Sequence, residues 1–254
     1  MRTINAIKSW RALRASEAFR GRRVGFVPTM GALHAGHLSL VGRSLRENDV
    51  TVVSVFVNPT QFNDKNDLKN YPRPAAADAA LLRRAGVHYL LAPRPEEMYP
   101  DGYRYRVTEG ADSALLCGAY RPGHFDGVLT VVLKLLNLVK PRRAYFGEKD
   151  YQQYRLLKGM AEALFLDAEI VPCPIVREDD GLALSSRNQL LTPEHRRLAP
   201  ALAAALRSGK PAAEVKRGLK KLGFEPDYVE DRWGRRFAAA RLGKVRLIDN
   251  VEKA

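Results

Sequence analysis

The apolar positions of the chain fall into short continuous runs and longer periodic ones. Val24–Val27 and Val50–Val57 (VTVVSVFV) read as strands, and the β-branched continuity of the second predicts cover on both faces. His88–Leu91, Ala144–Phe146 and Glu169–Val171 read as shorter strands. Helices are predicted over about 35–47, 73–84, 125–139 and 151–165. Pro74 suits the first turn of the second helix, and Gly86 its stop. Strands alternating with crossover helices predict an α/β fold, a Rossmann-like doubly wound parallel sheet.

After Arg177 the pattern changes. Thr192-Pro193-Glu194 reads as N-cap, first-turn proline and early acid of a helix reaching Leu206, and a basic helix follows over 212–222. Tyr228–Glu230, Arg236–Arg241 and Val245–Ile248 read as short strands. Helices followed by strands predict a small C-terminal α+β domain. The charged stretch around Arg177–Gly181 places the boundary, giving domains 1–177 and 178–254.

Composition qualifies this picture in one respect. The 254 residues carry a net charge of +14, which first points to nucleic acid or an anionic membrane. The excess is spread almost evenly, +9 in residues 1–177 and +5 in 178–254, with no basic tail. There are 29 Arg, 13 Lys and 32 Ala, so a compositional bias placed on solvated helix faces accounts for it. No helix-turn-helix, RRM or zinc-finger pattern appears, so nucleic acid is not an expected partner. The most apolar stretch, Val128–Val139, contains Lys134 and is too short to span a bilayer, so no membrane is expected either. Cys117 and Cys173 are lone thiols without metal-ligand spacing, and the N-terminus lacks a signal peptide, so the expected location is cytoplasmic.

The candidate chemistry lies where strands give way to helices. Met30-Gly31-Ala32-Leu33-His34-Ala35-Gly36-His37 follows the first strand and opens the first helix. At the carboxyl edge of such a sheet, free N–H groups and the helix dipole favour anions, and His34 and His37 add ring donors. This equipment suits a polyphosphate, although neither a P-loop nor a GxGxxG fingerprint is present. The same pair also reads as two ligand-free residues of a helix start, or as half a zinc site still needing a third ligand. Gly147-Glu148-Lys149-Asp150 occupies the same edge: Lys149 is a compact cation for phosphate, and Asp150 is a carboxylate for a ribose or Mg²⁺. Leu184-Ser185-Ser186-Arg187-Asn188 offers hydroxyls and a guanidinium from beyond the boundary. Asn58 and Gln61 follow the strongest strand and suit a polar, non-phosphate substrate, with Gln153 one turn after Asp150. Arg121 suits a carboxylate or phosphate, and His124 reads as a helix-entry residue.

The runs VPTMGALHAGHLSLV, SVFVNPTQF, DLKNYPR, RPGHFDGVLTVVLKLLNLVKP, YFGEKDYQQ, VREDDGLALSSRN and VRLIDN, in this order, resemble the pantoate–β-alanine ligase family. HxGH alone would indicate only the wider nucleotidyltransferase superfamily. The resemblance implies an ATP-dependent ligase. Pantoate would attack the α-phosphorus of Mg·ATP to give pantoyl adenylate and pyrophosphate, and β-alanine would then displace AMP to give pantothenate. It implies that His34 and His37 lie against the triphosphate, with His37 the proton donor. Lys149, Ser185, Ser186 and Arg187 would neutralise phosphates, in a loop resembling the mobile KMSKS-type loop of class I aminoacyl-tRNA synthetases. Gly147 and Asp150 would meet the ribose and the Val176 backbone the adenine. Gln61 and Gln153 would hold pantoate, with Gln61 also at β-alanine and Asn58 and Arg121 lining the site. It also implies a homodimer. The chain departs from the family pattern in a shorter C-terminal domain, and at Ala35 and Leu184, where backbone contacts are expected to matter more than side chains.

Overall fold

The computed structural model describes residues 1–253 and contains two sheets. The first has strands β1 (Arg2–Ile4), β2 (Val24–Thr29), β3 (Val50–Val55), β4 (Tyr89–Leu91), β5 (Arg143–Gly147) and β6 (Glu169–Cys173), all parallel, in the order β1-β4-β3-β2-β5-β6. From β2 the chain winds outward through β3 and β4, then crosses back to place β5 on the other side of β2. The switch point of this doubly wound sheet therefore lies between the carboxyl ends of β2 and β5, where a crevice for a ligand opens.

Alternate residues of the central strands feed different cores, as the pleat requires. Val24 and Phe26 of β2, Val50 and Val52 of β3, and Ala144 and Phe146 of β5 pack with Trp10 and the apolar face of the His124–Val139 helix. Val27, Val53 and Tyr145 pack on the opposite side with Leu40, Val41 and Leu82. The continuous apolar run over β3 is thus covered on both faces. Gly25 lets the Ala35–Glu47 helix lie close on β2, since a Cβ there would collide with Ser44 Oγ and the Asn48 amide.

The second sheet is antiparallel, β7 (Glu225–Arg232), β8 (Arg235–Leu242) and β9 (Val245–Glu252), in that order. It packs with the helices Ala201–Leu206 and Ala212–Lys221 around a core of Leu202, Leu206, Leu219, Phe224, Ala240 and Leu242. Among the described residues no helix is long and apolar enough to cross a membrane.

Several expectations need correction. Strand β1 and the Ile7–Arg14 helix were not expected, because a three-residue edge strand and a short charged helix carry too little periodicity. Strand β3 stops at Val55, and its last expected residues, Phe56 and Val57, lead into the Asn58 turn. Pro74 caps the Ala75–Arg84 helix rather than entering its first turn. The helix expected from Thr192 to Leu206 is two, Pro193–Leu198 and Ala201–Leu206. Pro200 lacks the N–H to continue it, and its ring crowds the carbonyl four residues back. The C-terminal strands are longer than their apolar centres.

Gly127, in the long helix, abuts the Asn58–Gln61 turn. A Cβ there would lie 2.6 Å from the Thr60 carbonyl carbon and 2.7 Å from Gln61 N, both backbone atoms that cannot swing away. Gly127→Ala is expected to destabilise the fold by about 1–3 kcal/mol through overpacking, measurable by urea unfolding. An unchanged midpoint would contradict this close approach.

Candidate active site

The crevice between β2 and β5 is a cavity of about 240 Å³. Met30, His34, Gly36 and His37 line it from the first helix start, and Gly147, Lys149, Asp150 and Gln153 from the turn after β5. Asn58, Gln61 and Arg121 also line it, as do Val176, Leu184, Ser185, Ser186 and Arg187. Of the expected residues, Gly31, Ala32, Leu33, Ala35 and Glu148 do not line it. A neighbouring cavity of about 1000 Å³ shares Arg121, Lys149, Asp150, Ser185 and Arg187, and opens toward Arg241, Lys244 and Arg246 on the second sheet.

The helix start is capped by its own histidines. His34 is the N-cap of the Ala35–Glu47 helix, and its Nδ1 accepts from Gly36 N at 3.1 Å. Three residues on, His37 Nδ1 accepts from His34 N at 3.4 Å, a longer reciprocal bond. With both Nδ1 atoms accepting, the network assigns the proton of each neutral ring to Nε2. The rings stand 4.1 Å apart. Burial first, and then the Lys149 ammonium, pushes His34 down to about 4. Burial, then His34, then Lys149 push His37 down to about 3. Both rings are therefore neutral N–H donors near pH 7.

The turn ahead of the histidines is held from outside the cavity. Asp78, 2% exposed, accepts Ala32 N at 2.9 Å through one carboxylate oxygen and Leu33 N at 2.8 Å through the other. Gly31 sits at φ +82° and Ala32 at φ +50°, so this cradle holds backbone in the left-handed region. Sequence alone does not single out Asp78, because an acid early in a helix looks like ordinary dipole compensation.

Lys149 Nζ lies 3.1 Å from Asp150 Oδ2. Burial pushes the Asp150 carboxyl up, but Lys149, with more distant help from Arg187 and His124, outweighs it and holds Asp150 below its ordinary value. Ser185 Oγ accepts Arg187 N at 3.3 Å, and the Arg187 guanidinium pairs with Asp67 at 2.9 Å while lying 5.5 Å over the Tyr71 ring.

The lining amides are ordered by a fixed frame. Asn58 is only 1% exposed: its Nδ2 donates to Gln61 Oε1 at 2.9 Å and to Gly127 O at 3.1 Å, and its Oδ1 accepts from Tyr99 OH at 2.6 Å. Its amide thus ties Gln61 Oε1 to the long helix. Arg121 and His124 together hold the Gln61 carbonyl, at 3.1 and 2.8 Å. His124 begins the long helix, as expected of a helix-entry residue, and burial with the adjacent Arg121 pushes it down to about 3.

Three imidazoles held far below their ordinary range make the fold acid-sensitive. The unfolded chain binds protons at these rings below about pH 6.5, whereas the folded chain binds them only near 3 to 4. Stability is therefore expected to fall as pH drops from about 6.5 toward 4, with net proton uptake on unfolding. Calorimetric unfolding in buffers of different ionisation enthalpy measures that uptake; none at about pH 5.5 would contradict the neutral rings.

A helix N-terminus, a lysine and hydroxyl donors facing one switch-point crevice define an enzyme that handles a phosphorylated nucleotide. The comparisons narrow that class. The chain belongs to the pantoate–beta-alanine ligase family, whose family model matches residues 1–252. It is 54% identical over 252 residues to the pantothenate synthetase of Bdellovibrio bacteriovorus, covering 99% of this chain and 98% of that one. The pantoate–beta-alanine ligase of Francisella tularensis, solved in complex with Beta-gamma ATP and β-alanine, superposes with a TM-score of 0.95 at 42% identity, covering 99% and 97% of the two chains. Pantothenate synthetase of Thermus thermophilus gives 0.90 at 47%, covering 99% of each. The short C-terminal part is thus shared with these relatives.

Proposed function

We propose that the chain condenses pantoate with β-alanine through an enzyme-bound pantoyl adenylate, consuming ATP and releasing pyrophosphate and AMP. The observation that carries this reading is the joining, in one crevice, of an anion-binding helix start and Lys149 with an amide pair, Gln61 and Gln153, suited to a hydroxy acid. The ATP and β-alanine in the Francisella complex support the substrate set.

In the first step a pantoate carboxylate oxygen attacks the α-phosphorus, the bond from that phosphorus to the bridging oxygen breaks, and pyrophosphate leaves. In the second, the free amine of β-alanine attacks the acyl carbon, the bond to the AMP oxygen breaks, and the amine loses a proton. Charge grows on phosphoryl oxygens in the first step, so fixed donors supply most of the catalysis. His34 and His37 face the triphosphate with their Nε2–H groups, and His37 is the donor to the departing phosphates. Lys149, Ser185, Ser186 and Arg187 neutralise the phosphates; Arg187 does so by exchanging Asp67 for the nucleotide. Gly147 and Asp150 meet the ribose, and the Val176 backbone meets the adenine. Gln61 and Gln153 hold pantoate, Gln61 also reaches β-alanine, and Arg121 and Asn58 support Gln61.

Mg²⁺ accompanies the nucleotide in this reading. It takes oxygen ligands and usually keeps phosphates and waters besides one or two carboxylates. Asp150 is the one carboxylate lining the crevice among the described residues and fits that sparse donor set; serving the ion, it would do so in place of the ribose. Bound there, the ion would supply positive charge to the phosphate oxygens.

A pyrophosphate-release assay with each substrate omitted in turn tests the reading. Release should require ATP and pantoate for a first turnover, and β-alanine for continued turnover. ATP consumption independent of pantoate, or none by folded protein, would contradict it.

A further inference from the structure

The closing VRLIDN stretch has no part in the reaction as described, yet its last two residues are among the most buried polar groups of the molecule: Asp249 is 4% exposed and Asn250 1%. They lie on β9, in the C-terminal part, and both reach across to the chain segments that border the crevice.

Asn250 Nδ2 donates to the carbonyl oxygens of Glu148 and Lys149, at 2.9 and 3.1 Å. Its Oδ1 accepts from Arg235 Nε at 2.6 Å. A guanidinium can only donate and a carbonyl can only accept, so these partners fix which way the amide faces. Arg235 is itself held, 8% exposed, 4.6 Å over the Tyr151 ring and 3.2 Å from Glu252. Beside it, Asp249 takes a bidentate pair from Arg177, at 2.7 and 2.8 Å, and Arg177 also donates to Gly181 O at 3.0 Å. Arg177 follows Val176, a lining residue of the crevice. The dipeptide thus grips both strips of chain that flank the proposed nucleotide.

We propose that Asn250 is a positioning residue for Lys149, fixing through its backbone where the ammonium meets the phosphates. The inference rests on Lys149 being a phosphate ligand. An amide is the side chain that meets both demands, accepting from Arg235 and donating twice to carbonyls. A carboxylate of the same shape keeps the first and loses the second, and sets an oxygen against two carbonyl oxygens. The placement of Lys149 is thereby tied to the docking of β9.

Asn250→Asp and Lys149→Ala, singly and together, test it in a pyrophosphate-release assay, with thermal melts alongside. Misplacing a catalytic group by a fraction of an ångström to an ångström costs up to two orders of magnitude, so N250D should lose roughly 10–100-fold in kcat. The double variant should be no slower than Lys149→Ala alone, because the two act as a unit. An N250D rate within about threefold of the parent, with Lys149→Ala strongly impaired, overturns the inference alone. Multiplying losses in the double variant also overturn it, since Asn250 would then act independently of Lys149. A Lys149→Ala rate near the parent's overturns the reading of Lys149 and the inference with it. If N250D does not fold, Asn250→Ser, which keeps one donor, carries the same cycle with a smaller loss and the same non-additivity; additive losses there overturn the inference.

Discussion

His37→Ala is expected to slow pyrophosphate release by about 10²–10³-fold, the loss that follows removal of one preorganised donor from a transition state. The ring is neutral near pH 7, and its Nδ1 is taken by the backbone, so its contribution comes through Nε2–H. Because the departing pyrophosphate carries more charge in the transition state than in bound ATP, kcat should fall more than the KM for ATP rises. The substitution also strips His34 N of its cap partner, at a cost of about 1 kcal/mol, so melts should stay close to the parent's. A kinetic loss under about threefold would remove His37 from this role.

Lys149→Ala is expected to have the second largest effect, about 10²-fold or more on the same step, because a cation fixed beside the phosphates needs no reorganisation as charge develops. It has a second signature. Lys149 is one of the groups that holds both histidines down, so without it His34 and His37 titrate at higher pH. The acid limb of the pH–rate profile should therefore move up toward neutrality in the variant. An unchanged rate, or a lowered rate with an unmoved acid limb, would contradict the placement of Lys149 beside the histidines.

The fold is legible in the sequence where apolar runs are long. The strands β2 and β3, with the helix between them, put the histidine turn at a carboxyl edge, and β5 puts Lys149 and Asp150 there too. What the sequence hides are residues whose work is done on backbone atoms. Asp78 holds Ala32 and Leu33, Arg121 and His124 hold the Gln61 carbonyl, and Asn250 holds Glu148 and Lys149. Nothing in residue type or spacing says which distant backbone N–H or carbonyl a side chain reaches. Arg121 reads as a ligand for an anion; in the structure it lines the crevice and also donates to the Gln61 carbonyl. The +14 charge changes meaning in the same way. Solvated faces do not hold all of its arginines: Arg235 and Arg236 on β8 are buried, and Arg177 and Arg246 pair with Asp249 and Asp227. These four of the 29 arginines are internal wiring of the C-terminal part and of its junction with the crevice.

Activation of the acid as an adenylate would leave an isotopic trace. Pantoate labelled with ¹⁸O in both carboxylate oxygens, turned over with ATP and β-alanine, tests it most directly. Attack on the α-phosphorus leaves one labelled oxygen on phosphorus, and attack of the amine on the acyl carbon then expels it with AMP. The expected result is one ¹⁸O in AMP, one in the amide carbonyl of the product, and none in pyrophosphate. Unlabelled AMP, or label appearing in inorganic phosphate with ADP as the nucleotide product, would contradict it.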